Sequence, residues 1–276
     1  MGLKNPLTNL QNVVPGNTAT LKVPVGKGSP TYDQIKFALG GGLTAAHLTS
    51  IVGKANGRIF MDESAGGATR VNLRDAYKNT AVAAGFVVLD FTERQARGGS
   101  AEQLVASIPG ALLQDLSFEI KIAAGAPAGG TIAASANYRP PTSNPFIRKI
   151  LNTNQSFAAA GTTGTPNIMY LPVGGAGGKM KRVWISESTA GVITHAQIRI
   201  ANNVVFDADR TTAENDQTRN LLVPQAGMFV LDFIEDGNLA GLLDTSAAPS
   251  VELRLTTSAA ATFSVDYELI DPINRL

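Results

Sequence analysis

The sequence predicts an all-β protein built as two tandem eight-stranded jelly-roll β-sandwiches, with short helices in the loops. Three observations carry that expectation. A heptapeptide occurs twice, as Gly85-Phe86-Val87-Val88-Leu89-Asp90-Phe91 and as Gly227-Met228-Phe229-Val230-Leu231-Asp232-Phe233, and its Val, Leu and Phe content reads as a strand. Segments alternating apolar and polar residues recur along both halves, each bounded by turn residues. The neighbours of the heptapeptide also repeat in the same order, at a period of roughly 140 residues, too long for a solenoid or a propeller blade.

The totals agree. The chain has 276 residues, enough for one large domain or two medium ones, and 44% are hydrophobic. Net charge is +1, from 23 Lys+Arg against 22 Asp+Glu, which gives no basis for a nucleic-acid groove or an anionic membrane surface. Charged residues are 16%, below the roughly 25% of ordinary soluble domains. A surface covered by other subunits explains that, and so does compositional drift. There are no cysteines, so disulfides and Cys-based zinc sites are excluded. Met1-Gly2-Leu3-Lys4-Asn5-Pro6 lacks the apolar core of a signal peptide and has Pro6 where a myristoylation signal wants Ser or Thr.

In order, residues 1–16 read as an irregular, Asn-rich arm with Pro6, Pro15 and Gly16. Ala19, Leu21, Val23 and Val25 alternate with polar neighbours as a half-buried strand, with Pro24 marking an edge or an end. Ile35, Phe37 and Leu39 make the next strand, broken by Gly40-Gly41-Gly42. Leu48 to Met61 is a hairpin turning at Asn56-Gly57, since Asn-Gly tolerates the positive φ angles of a type I′ turn. Val71 to Lys78 fits two helical turns, and Ser100 caps a short helix through Leu104. Leu116 to Ile122 and Ile132 to Tyr138 close the half around an Ala/Gly/Pro loop. Arg139 to Pro145 holds three prolines and marks the boundary, with Phe146 to Leu151 as a short helix across the joint.

The second half retraces the first. Leu21-Lys22-Val23-Pro24-Val25-Gly26 meets Met169-Tyr170-Leu171-Pro172-Val173-Gly174, and Ile35 and Phe37 meet Val183 and Ile185. Asn56-Gly57-Arg58-Ile59-Phe60 meets Asn202-Asn203-Val204-Val205-Phe206. A helical stretch, Thr211 to Leu222, precedes the second heptapeptide, and a short helix, Leu239 to Leu243, comes after it. Val251 to Leu255 and Phe263 to Leu269 alternate as the closing strands. The expected division is an arm at 1–16, a first jelly roll at 17–139, a linker at 140–155 and a second jelly roll at 156–276. An immunoglobulin-type sandwich is disfavoured, because the halves are long for it and its true members carry a cysteine pair.

Candidate chemistry is sparse. Gly174-Gly175-Ala176-Gly177-Gly178-Lys179 has Val173 where a phosphate loop needs Gly and Met180 where it needs Ser or Thr, so a turn is favoured. Asp207, Asp209, Glu214 and Asp216 lack the central Gly and the Glu spacing of a calcium loop and read as a solvated acidic loop. His47 and His195, the only histidines, read as the same position in both halves, which favours a structural role over catalysis. Asp90 and Asp232 also pair across the repeat. Asp90, in register with Phe86 and Val88, reads as a carboxylate near the end of a buried face, bonded to a turn or marking a bulge, and a metal role between barrels is the weaker reading of the pair. No Gly-x-Ser-x-Gly elbow occurs, and Trp184 alone makes no stacking platform. No catalytic, cofactor or metal residue is assigned, and an enzyme is not expected.

The opening Asn12-Val13-Val14-Pro15-Gly16-Asn17-Thr18-Ala19-Thr20-Leu21-Lys22-Val23-Pro24-Val25-Gly26 resembles that of the corticovirus major capsid protein. The order of the later elements resembles it too: a central hairpin, a helix near Leu73 to Tyr77, a Phe-Val strand, a helix near Gln103-Leu104-Val105, the strand Phe118-Glu119-Ile120-Lys121, and the joint Phe146-Ile147-Arg148-Lys149. The similarity of order spans nearly the whole chain and places it in the double jelly-roll coat lineage of corticovirus, tectivirus and adenovirus type. The resemblance implies a major capsid protein of an icosahedral bacteriophage, residing in the virion capsid. It implies pseudo-hexagonal homotrimers that tile a shell around an internal lipid membrane and DNA genome. Implied partners are other copies of the chain, penton and minor capsid or membrane proteins, with the inner face near lipid and no sequence-specific nucleic-acid binding. The N-terminal arm, with Lys4, would lie at that inner end or against neighbouring trimers. Structural calcium between barrels or subunits is also implied as an option, with ligands unassigned. The alternatives are a carbohydrate-binding tandem β-sandwich, which predicts exposed Trp/Tyr clusters or a calcium loop, and an enzyme on a double-sandwich scaffold.

Overall fold

The computed structural model describes residues 3–8, 10–99, 103–159, 166–171, 178–246 and 248–276, with backbone alone at 154–159. The chain groups into two units. One comprises Met1–Ala76, Thr80–Leu151 and Pro272–Leu276, and the other Tyr77–Asn79 with Asn152–Asp271.

The first unit holds β1 (Leu3–Pro6), β2 (Thr18–Lys22), β3 (Thr31–Gly40), β4 (Leu48–Ala55), β5 (Arg58–Asp62), β6 (Phe86–Asp90), the two-residue β7 (Ile108–Pro109), β8 (Leu116–Ile122) and β9 (Thr131–Arg139). Helix α1 (Gly67–Tyr77) starts in it, between β5 and β6. One sheet runs β1-β9-β3-β6, with β7 beside β3, and the other runs β2-β8-β4-β5. Counting the eight long strands in chain order, the sheets read 1-8-3-6 and 2-7-4-5, the double Greek key of a jelly roll. Between them lie Leu21, Ile35, Phe37, Ile51, Val87, Leu89 and Ile120, with Phe60, Phe91 and Phe118 in mutual tilted and edge contact at ring separations of 6.0–6.4 Å. Burying one such side chain is worth about 1.5–3 kcal/mol.

The second unit repeats this element by element. Its strands are β10 (Phe146–Ala159, beginning in the first unit), β11 (Asn167–Leu171), β12 (Lys179–Glu187), β13 (Ile193–Ile200), β14 (Asn203–Asp209), β15 (Met228–Asp232), the two-residue β16 (Leu243–Asp244), β17 (Val251–Thr257) and β18 (Ala261–Pro272). Helix α2 (Arg210–Arg219) lies between β14 and β15, as α1 lies between β5 and β6. The sheets run β10-β18-β12-β15, with β16 beside β12, and β11-β17-β13-β14, again 1-8-3-6 and 2-7-4-5. Register fixes the equivalences. Gln34 faces Asp90 and Arg182 faces Asp232. Leu21 faces Phe118 and Met169 faces Leu253. Even a bulge recurs, between Leu48 and Ser50 and between Ile193 and His195, and in each the skipped threonine, Thr49 or Thr194, donates its hydroxyl to a backbone carbonyl across the strand pair.

The hairpin at Asn56-Gly57 forms as expected, with both residues at positive φ (50° and 77°). Its counterpart turns at Ala201-Asn202 (49° and 69°), one position earlier than the sequence match placed it, because β13 ends at Ile200. Residues 3–6 are not irregular. Lys4 pairs with Asn137 and Pro6 with Ser135 on β9. All four side chains are exposed, so the segment has no apolar face to show in its pattern. Phe146 to Leu151 is a strand rather than a short helix. Ile147, Arg148, Lys149 and Ile150 are all buried, and a strand covered on both faces shows no alternation. Ile150 pairs with Met61 in parallel. The expected cap at Ser100 lies outside the described residues.

Gly67 opens α1 at φ 51°, and a Cβ there would stand 2.0 Å from the Leu48 carbonyl oxygen. Gly67→Ala should cost roughly 2–4 kcal/mol, from a strained backbone plus a contact with nothing flexible to yield. A lowered denaturation midpoint with unchanged slope would register it.

Candidate functional site

Polar chemistry concentrates on one face of the second unit's β10-β18-β12-β15 sheet. Period-two alternation on β12 sends Val183 and Ile185 into the sandwich and Arg182 and Trp184 to the opposite face. On that face Arg182 Nε donates to Asp232 Oδ2 at 2.6 Å, and Lys181 Nζ donates to Glu268 Oε1 at 2.6 Å. Trp184 Nε1 donates to Glu268 Oε2 at 3.0 Å, and Arg182 Nη1 stands 3.8 Å from the same oxygen. Tyr77, which groups with this unit, donates its hydroxyl to Asp232 Oδ2 at 3.1 Å and sets its ring edge-on to Trp184 at 5.3 Å. Burial first, and Asp232 next, hold the Tyr77 phenol well above its ordinary pKa. Asn152 donates to Asp266 at 2.5 Å nearby.

All of these except Asn152 are buried. Two cations there meet two carboxylates with charge-assisted hydrogen bonds, the condition under which a buried ion network is tolerated. The arrangement holds no nucleophile beside a base. Its chemistry is cross-linking: Arg182 and Lys181 tie the third strand of the unit to the sixth and the eighth.

The first unit builds the same position more cheaply. Gln34 Nε2 donates to Asp90 Oδ2 at 2.5 Å, and Asn137 donates to Gln34 at 2.7 Å. Both repeated aspartates accept the backbone N–H two residues ahead, Asp90 from Thr92 at 2.9 Å and Asp232 from Ile234 at 3.0 Å. The expected bond to a turn is therefore present. The expected buried face is the other one, however: Val87 and Leu89 point into the core, while Phe86 is 45% exposed. Asp90 is buried on the reverse face, where Arg148 Nη1 also donates to its carbonyl.

The histidines are not equivalent. Register makes His195 the counterpart of Ser50, and a shared backbone bond makes His47 the counterpart of Val192: Ala123 N donates to the His47 carbonyl at 2.8 Å and Ser258 N to that of Val192 at 2.9 Å. His47 Nδ1 accepts from the Thr44 backbone at 3.0 Å, closing a 3-10 turn, whereas His195 Nε2 meets Asp207 at 2.6 Å across β13 and β14. The acidic stretch is consumed locally. Asp209 caps α2 through Thr212, whose bonds hold its carboxyl below the ordinary range. Glu214 pairs with Arg210, which also holds Glu187 at 2.9 Å. Of the glycine-rich loop, 174–177 lie outside the described residues, and Lys179 faces Asp244 across β12 and β16. Among the described residues no three His, Asp or Glu converge as a metal site.

Sequence reading missed Lys181, Arg182 and Glu268. The available signal was parity: Trp184 shares a face with Arg182, and a large aromatic marks that face as covered.

Two jelly rolls in one chain, with their buried charges spent on cross-linking strands, define a double jelly-roll protein. Residues 4–139 match the family model of the viral coat protein P2 N-terminal domain and residues 147–273 that of its C-terminal domain, so the chain belongs to the viral coat protein P2 family. The fold is similar to that of the major capsid protein P2 from bacteriophage PM2 (TM-score 0.86, 15% identity, 99% of this chain and 98% of that one). It is also similar to a chain of Sulfolobus turreted icosahedral virus (0.69, 12%, 97% and 90%) and to the PBCV-1 virus capsid (0.65, 12%, 97% and 92%). No curated protein sequence is significantly similar. As a member of that family the chain is a viral coat protein, a structural component of the virion and not an enzyme, and the carbohydrate-binding alternative gains no support.

Two outcomes test the network. Lys181→Met leaves a buried carboxylate short of its cation and should cost about 3 kcal/mol, whereas replacing Lys181 and Glu268 together by Met and Leu should cost less, as read from denaturation midpoints. Glu235 tests it by pH. Burial first, then Asp232, Asp216 and Asp236, raise its carboxyl from 4.5 to about 7. Between those values the unfolded chain has released this proton and the folded one has kept it, so stability falls as pH rises from 4.5 to 7 and levels off above. With half-exposure discounted the drop is about 1 kcal/mol, and Glu235→Gln should abolish it.

Proposed function

We propose that three copies of this chain associate as a pseudo-hexagonal homotrimer, and that trimers tile an icosahedral shell around an internal lipid membrane and DNA genome. The observation that supports this reading is the identical 1-8-3-6 and 2-7-4-5 strand order of the two units. A chain with two like barrels gives a three-chain ring six like faces, and a head-to-tail contact that closes makes such a ring finite. We take residues 17–139 and 156–276 as the bodies of the jelly rolls, 1–16 as an arm whose residues 3–6 complete the first sheet, and 140–155 as a linker in which β10, the first strand of the second sheet, begins. Penton, minor capsid or membrane proteins are the further partners of this reading, with the inner face near lipid and no sequence-specific contact to nucleic acid.

Native mass measurement with electron microscopy of the purified protein tests it. The expected particle has three times the 28.8 kDa of one chain and a hexagonal outline. A stable monomer that binds glycans would sink the proposal.

A further inference from the structure

We propose that the segment at the end of α2, Arg219–Val223, of one copy seats on the β1-β9-β3-β6 sheet of a second copy, in a groove lined by Lys36, Ala81, Val82, Val88 and Asp90. The proposal rests on the trimer reading and names the contact that closes the ring.

The duplication supplies the argument. Helices α1 and α2 occupy matching places, and the residues after them match too. Asn79 and Leu221 both take positive φ, 55° and 65°. Thr80 N donates to the Asp75 carbonyl at 2.8 Å, and Leu222 N to that of Gln217 at 3.0 Å. Gly85 and Gly227 then open the matching strands. Position by position, Tyr77 corresponds to Arg219 and Ala81 to Val223.

In the second unit, Tyr77 makes a defined docking contact. Its carbonyl accepts from Val223 N at 2.8 Å, its hydroxyl donates to Asp232, and its ring lies edge-on to Trp184. The first unit carries the corresponding receptor positions: Ala81 for Val223, Asp90 for Asp232, Lys36 for Trp184 and Gln34 for Arg182. These residues, with Thr80, Val82 and Val88, line a surface groove. Ala81 is exposed, and Lys36, Val82 and Val88 are half-buried.

The segment that corresponds to Tyr77–Asn79 belongs to the second unit and presents itself outward. Arg219 is exposed, Leu221 is 74% exposed and Val223 42%. A leucine held at positive φ and left in water is an unfavourable local choice, and burial in a neighbour offsets it. Charge completes the match. Where the Tyr77 phenol meets Asp232, the Arg219 guanidinium meets the Asp90 carboxylate, which already takes Gln34 and, at 3.2 Å, Arg94. Each copy carries one such segment and one such groove, so the contact is head-to-tail, as a closed ring requires.

Because the chain has no native cysteine, disulfide trapping tests this directly. Arg219→Cys and Ala81→Cys fall on exposed residues and should leave folding intact. Mixed under mild oxidant, the two single variants should give a two-chain covalent species. The double variant should give a covalent three-chain ring, while each single variant alone stays one chain. Leu221→Asp should weaken trimer association by at least ~10-fold in dilution series. Trimers by native mass that form no such cross-link would overturn this contact and leave the trimer reading standing. A chain that stays monomeric at all concentrations would overturn both.

Discussion

A carboxylate at the end of the sixth long strand holds each sheet together. Asp90 and Asp232 each spend one oxygen on the backbone N–H two residues ahead, which ends the strand, and the other on a donor from the third strand. The partner differs with the surroundings. In the first unit that donor is an amide, Gln34, and the cation that pairs with the carboxylate, Arg94, is exposed. In the second, where Met228 to Asp232 are buried throughout, the carboxylate needs a full cation, and Arg182 supplies it. An unpaired charge at such a depth would cost several kcal/mol. Once Arg182 is in place, Glu268 must balance the surplus it shares with Lys181, and Trp184 and Tyr77 close the remaining hydrogen bonds.

Much of this architecture is legible in the sequence because the chain states it twice. The hairpin at Asn56-Gly57 comes from the φ angles that Asn-Gly tolerates, and both helices from their place before a repeated strand. The strands that escape are those with no half-buried face. Leu3–Pro6 is exposed on all sides, while Phe146–Ile150 is almost wholly covered, so neither alternates. The histidines mislead for a related reason. The separation between matched residues shrinks along the chain: the connection between β12 and β13, counted from Arg182 to His195, is three residues shorter than that between β3 and β4, counted from Gln34 to Ser50, which brings His195 level with Ser50 rather than with His47.

The polar site is legible only in part. Asp232 stands out because it repeats, but Arg182 and Glu268 sit where alternation assigns solvent, and Lys181 joins them at an irregularity in the pairing between Met180 and Arg182. The cover over that face is tertiary, and period-two reasoning has no access to it. The hint is a strand without a polar parity. Met228-Phe229-Val230-Leu231 is apolar at every position, unlike a strand with one wet face, and its neighbours β12 and β18 must then bring their charges already paired.

The membership of residues in the two units does not track their order in the chain. Pro272–Leu276 belong to the first unit, where Ile273 and Leu276 pack against its core and Ile273 N bonds to the Pro145 carbonyl at 2.6 Å. Those five residues leave the ribosome only after 152–271. At translation rates of about 5–20 residues per second, that delay is roughly 6–25 s. The nascent first barrel therefore lacks the packing of Ile273 and Leu276 while the whole of the second is made. This packing is made only after the second barrel has been synthesised, which ties completion of the early-made half to that of the late-made one.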